Sequence, residues 1–181
     1  FLLPCVCTNA RAQMRPAVTI DEEAPAFAFS ADGRLAYAVR HIFNEGKLEV
    51  RRDDIWITSV EGRKTRIVNG EKMFRSAVPF SFAVQALRWS PDGARLAVDV
   101  QTSVMTDPRG STREGVGTLL FDTTGKEIKV GAARGLVEES TNAAWLPDSA
   151  TVVFVHEAVE PKLLFNIRSI RPTSGRGETL Y

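Results

Sequence analysis

Three stretches of this chain can be written one beneath another. The first runs Phe27-Ala28-Phe29-Ser30-Ala31-Asp32-Gly33-Arg34-Leu35-Ala36-Tyr37-Ala38-Val39. The second runs Leu87-Arg88-Trp89-Ser90-Pro91-Asp92-Gly93-Ala94-Arg95-Leu96-Ala97-Val98-Asp99, and the third Ala143-Ala144-Trp145-Leu146-Pro147-Asp148-Ser149-Ala150-Thr151-Val152-Val153-Phe154-Val155. The turn aspartates fall at 32, 92 and 148, a spacing of 60 and then 56 residues. Self-similarity at such a period means that like units stack to build the core, and it narrows the fold more than composition does.

Each copy reads as a hairpin. A strand containing an aromatic residue enters Ser-Pro-Asp-Gly or a close variant, and a strand rich in apolar residues leaves it. Proline presets φ for the turn, Asp32, Asp92 and Asp148 can cap it through their side chains, and Gly33 and Gly93 accept positive φ. Ser149 replaces glycine in the third copy, so that turn is expected to be less ideal. A second hairpin follows each first one. Asp54-Ile55-Trp56-Ile57-Thr58-Ser59-Val60 turns at Glu61-Gly62 into Lys64-Thr65-Arg66-Ile67-Val68. Gly117 to Asp122 turns at Thr124-Gly125 into Glu127 to Val130, and Leu163 to Ile170 turns at Ser174-Gly175 into Glu178 to Tyr181. Alternation with a period of two marks half-buried strands. The expected fold is therefore all-β: a partial β-propeller of three four-stranded antiparallel blades, at about 25–70, 85–131 and 141–181. No helix is expected. The best candidate, Ala132 to Glu139, is reduced to a loop or one turn by Gly131 and Gly135.

Trp89-Ser90-Pro91-Asp92-Gly93 followed by Arg95-Leu96-Ala97, and Asp54-Ile55-Trp56 followed by Glu61-Gly62, resemble the TolB-type, WD-like propeller repeat, over about 25–181. That repeat occurs in periplasmic TolB-like proteins, in the propellers of prolyl-oligopeptidase-like serine peptidases and beside amidohydrolase domains, so the resemblance implies a fold and not one function. The spacing here exceeds the compact propeller repeat of about 40–45 residues. The surplus lies at Arg40 to Asp53 and Val100 to Val116, with a further long connection from Asn69 to Val84. In propellers such connections emerge on one face, which is often the binding face. Asp107 to Gly115 reads as a polar loop. Three blades leave a propeller unclosed, so the chain is expected to be the front part of a longer protein whose remaining blades complete the ring.

The first seven residues, Phe1 to Cys7, are apolar or small, and Ala10-Arg11-Ala12 has the small-x-small form of a signal cleavage site. Residues 1–12 are read as the remnant of a secretory signal, which implies a periplasmic or secreted protein. Residues 13–24 are read as a linker, or as a strand that helps to close the ring. Cys5 and Cys7 both lie in the signal remnant, so no disulfide or thiolate chemistry is expected after its removal.

The net charge of +1 gives no basic footprint for nucleic acid, and no run approaches the ~18 apolar residues of a membrane span. The chain has no G-x-S-x-G elbow, no H-E-x-x-H and no phosphate-binding glycine loop, so no catalytic residue and no cofactor or metal site is assigned within it. Calcium at Asp32, Asp92 and Asp148 is disfavoured against turn capping. His41 and His156 follow the second strands of the first and third copies, and Gln101 occupies the matching place in the second. These three are the candidate binding residues, weighed against the plainer reading of polar residues leaving strands for solvent. Trp56, Trp89 and Trp145 are assigned to packing between blades. Arg51-Arg52-Asp53-Asp54 either pins a neighbouring segment or is solvated. The expected function is an exported, non-catalytic propeller module that binds a protein or peptide. The alternative is the substrate-gating propeller of a larger exported hydrolase, of the serine peptidase or amidohydrolase kind.

Overall fold

The computed structural model describes residues 20, 22–45, 48–73, 80–105, 112–128, 137–138, 140–158, 164–171 and 176–179. The signal-like segment 1–12 lies outside them, as do most of 13–24's expected closing strand and the turn at Ser174-Gly175. The protein is all-β. Its one described helix, α1, is the single turn Gly70–Met73. A first antiparallel meander comprises β1 (Phe27–Phe29), β2 (Leu35–Glu45), β3 (Leu48–Thr58) and β4 (Lys64–Val68). A second comprises β5 (Phe80–Trp89), β6 (Arg95–Met105) and β7 (Thr112–Asp122), with β8 (Val137–Glu138) on its edge. A third comprises β9 (Ser140–Trp145), β10 (Val152–Ala158), β11 (Leu164–Arg171) and β12 (Arg176–Thr179).

The sequence suggested three separate sheets, and the pairing differs. A parallel bridge between Arg52 and Phe82 joins β3 to β5, so the first two meanders share one eight-stranded sheet. The third forms a sheet of four strands, and among the described residues both sheets are open at their edges. The strand expected at Glu127 to Val130 is, among the described residues, a single bridge from Glu127 to Phe121. Val137 and Glu138, within the segment considered for a helical turn, are strand.

The larger correction concerns the surplus residues. Arg40 to Asp53 is not a loop between hairpins. β2 and β3 stay in register without a break from Leu35 opposite Thr58 to Glu45 opposite Leu48. β6 and β7 do the same from Arg95 opposite Asp122 to Met105 opposite Thr112, and this takes in Thr112 to Gly115 of the expected polar loop. The insertions are thus arms, two-stranded extensions of the inner hairpins. Their outer halves are largely polar and exposed, which conceals the strand signal.

The turns explain how each hairpin is fixed. Asp92 accepts the Ser90 hydroxyl at 2.6 Å and the Ala94 N–H at 3.0 Å. Asp32 accepts the Ser30 hydroxyl and the Arg34 Nε–H, and Asp148 accepts the N–H groups of Ala150 and Thr151. Gly33 and Gly93 have φ of 86° and 67°, and Ser149 is held at 54°. The left-handed conformation disfavours any residue with a Cβ. Here the Ser149 hydroxyl accepts the Asp92 N–H at 3.0 Å, and that bond offsets part of the strain.

Apolar side chains alternate along the strands, and alternate faces fill different cores. Ala36, Ala38, Ile55 and Ile57 of the first meander pack against Phe82, Val84, Leu96, Val98, Leu119 and Phe121 of the second. On the second meander's other face, Ala97 and Leu120 pack against Ala143, Val152, Phe154 and Ile170 of the third. Burying each large side chain contributes about 1.5–3 kcal/mol. The same two polar links recur at both contacts. The Trp89 indole donates to the Ala28 carbonyl, and the Trp145 indole to the Arg88 carbonyl, each at 3.1 Å. Arg34 donates to the Gly93 carbonyl and Arg95 to the Ser149 carbonyl, each at 2.7 Å.

Candidate binding face between the two arms

The parallel bridge sets the arms on either side of β5, so their polar faces combine. Side chains two apart on a strand share a face. Glu49 and Arg51 on β3, Ser81 and Ala83 on β5, and Gln101 and Ser103 on β6 therefore line one surface, with Glu114 of β7 opposite Ser103. Together they border an open cleft of about 190 Å³. Arg51 crosses from one arm to the other meander: its backbone N–H donates to the Ser81 hydroxyl at 3.1 Å. Its guanidinium holds Glu49 through two nitrogens, at 3.1 and 3.2 Å. Gln101 accepts the Gln85 side-chain amide at 3.3 Å.

Buried carboxylates hold this face in place. Asp53, fully buried, accepts the Val84 N–H of β5 at 2.8 Å and both Nε and Nη2 of Arg40, at 3.3 and 3.2 Å. The bond to Asp53 holds the Arg40 guanidinium above its ordinary pKa. Asp54 accepts the Gly70 N–H at 2.9 Å and Arg66 at 3.1 Å. Arg52, Asp53 and Asp54 therefore pin their neighbours, while the Arg51 side chain stays half exposed. Asp99 repeats the device one meander on, accepting Arg88 at 2.5 Å, the Thr118 hydroxyl at 2.8 Å and the Ala143 N–H at 3.4 Å.

The candidates from the sequence do not converge. Gln101 lines the cleft. His41 instead lies 3.3 Å from Asp54 through Nε2, with its side chain 45% exposed, and does not border the cleft. His156 lies in β10, opposite Asn166 and Ser140, on the third meander. Asp32, Gly33, Asp92, Gly93 and Asp148 stay within their turns. Among the described residues no group of three or more His, Cys, Asp or Glu side chains is arranged to hold a metal ion. Nor is any helix among them long and apolar enough to cross a membrane. Sequence reading missed Glu49, Arg51, Ser81, Ser103 and Glu114. The available signal was spacing: Glu49/Arg51 and Gln101/Ser103 are polar pairs two apart, as expected for one face of a strand.

No family model matches the chain, and no curated protein matches it. A solved structure described as that of the eukaryotic initiation factor is similar at 10% identity and a TM-score of 0.27. That likeness covers 86% of this chain, which spans about half (53%) of the matched one.

Proposed function

We propose that this chain is an exported, non-catalytic part of a β-propeller built from TolB-type blades, and that it binds a protein or peptide across the polar face between its two arms. The observation that carries the reading is the cleft itself. A parallel bridge unites two extended hairpins into one surface, whose exposed groups are hydrogen-bonding side chains and whose strands β3 and β5 are tied together by Asp53. Three successive meanders, packed face to face through the same Trp and Arg links, support the blade assignment. The export assignment rests on Phe1 to Gln13 of the sequence. A phage-displayed random heptapeptide library panned on the full chain tests the binding role. Enriched peptides should bind the native chain and lose most of that binding in Gln101→Ala and Ser103→Ala. Failure to enrich any peptide, or binding indifferent to both substitutions, would remove the proposal.

A further inference from the structure

We infer that the cleft selects a basic side chain, Lys or Arg, presented by an extended peptide; this rests on the peptide-binding reading above. The charge that the cleft leaves unpaired sets this preference. The Arg51 guanidinium is already held by Glu49, so that pair adds no net charge. Glu114 borders the same cleft and has no ion-pair partner among the described residues. One negative charge therefore remains at the cleft, beside the mutually paired Arg51 and Glu49 and the neutral Ser81, Gln101 and Ser103.

Those neutral groups have a direction too. The Ser81 oxygen accepts from the Arg51 N–H, which leaves its hydroxyl proton to donate to another group. The Gln101 oxygen is taken by Gln85, which leaves the Gln101 amide hydrogens to donate. Ser103 adds a further hydroxyl beside them. A surface rich in donors suits the carbonyls of an extended backbone, and a lone carboxylate suits an ammonium or guanidinium group. An acidic side chain in the same place would face Glu114 with like charge.

The test uses three fluorescein-labelled, end-blocked peptides, Ala-Thr-X-Thr-Ala with X as Arg, Gln or Glu, titrated with the full chain by fluorescence anisotropy. The Arg peptide should bind about threefold to fivefold more tightly than the Gln peptide, as one exposed ion pair allows, with the Glu peptide weakest. Glu114→Gln should bring the three together while circular dichroism is unchanged, and salt should do the same to the native chain. If all three bind alike, or the Glu peptide binds best, and Gln101→Ala weakens them all, charge selection is wrong and peptide binding stands. If none binds, or Gln101→Ala changes nothing, both readings fall.

Discussion

The aspartates at the three turns show how a side chain is recruited by its own backbone. Bonds from Arg34 and Ser30 hold the Asp32 carboxyl down from 3.8 to about 2, and bonds from Thr151 and Ala150 do the same for Asp148. Asp92 is lowered by Ser90 and the Ala94 N–H. A carboxyl whose folded pKa is depressed contributes stability above its unfolded pKa and loses it as pH falls through the folded value. The turns should therefore be fully supported above roughly pH 4 and lose support towards about pH 2. All three are exposed, so the effect is small and screened. Urea midpoints of the native chain should fall across this window. A triple Asp→Asn variant should show a shallower fall, and equal slopes would overturn the assignment. These turns were legible in the sequence because their chemistry is local: Ser, Pro, Asp and Gly act within five residues. Asp53 was not, because its partners Val84 and Arg40 lie 31 and 13 residues away. Only the tertiary fold shows that its neighbour Arg51 faces solvent while Asp53 is sealed.

At the scale of elements, the arms were misjudged for a physical reason. Charged and polar residues (Arg40, His41, Asn44, Glu45, Glu49, Arg51, Arg52 and Asp53) interrupt the apolar Ile42, Phe43, Leu48 and Val50, so Arg40 to Asp53 shows no run of Val or Ile to mark a strand, although Val50 and Asp53 are buried. The second hairpin turns at Gly62 and Gly125 were read correctly, yet the sequence could not tell them apart. Gly62 and Gly125 both have φ of 85°. A Cβ on Gly62 would meet nothing within 4 Å, whereas one on Gly125 would lie 2.0 Å from the Ile67 carbonyl oxygen. Gly62→Ala should cost about 1–2 kcal/mol, the strain of the left-handed backbone alone. Gly125→Ala should cost clearly more, since Ile67 belongs to the neighbouring meander and must move. Chemical denaturation of both variants checks this, and equal losses would mean that the two meanders do not approach here. The carboxylate beneath the arms admits a second test. Asp53→Ala would leave the Val84 N–H buried without its acceptor and Arg40 with Glu23 as its remaining carboxylate, a loss of about 1–3 kcal/mol. Asp53→Asn keeps an oxygen for Val84 and should lose less. If both variants unfold at the native urea concentration, Asp53 does not join β3 to β5.

For the whole molecule, the question is what the stacking leaves over. Each internal contact uses a tryptophan from the later meander and an arginine from the earlier one. The first meander has Phe29 at the tryptophan place, and the third has Thr151 at the arginine place. Neither can make the corresponding link, so two copies meeting end to end would lack both. They would still meet apolar surface. Phe27 and Phe29 are 64% and 66% exposed and lie edge to face on one side, and Ile167 is 45% exposed on the other. Exposed apolar surface without directional links favours loose association over one defined dimer. The chain should therefore sediment as a broad, concentration-dependent mixture rather than as a sharp oligomer. Phe27→Thr with Phe29→Thr should shift it towards monomer, because threonine keeps the strand while removing both rings. A native chain that is monodisperse at all concentrations would show that these rings are not what draws copies together. Persistence of the mixture in the double variant would move the association to the other end, at Ile167.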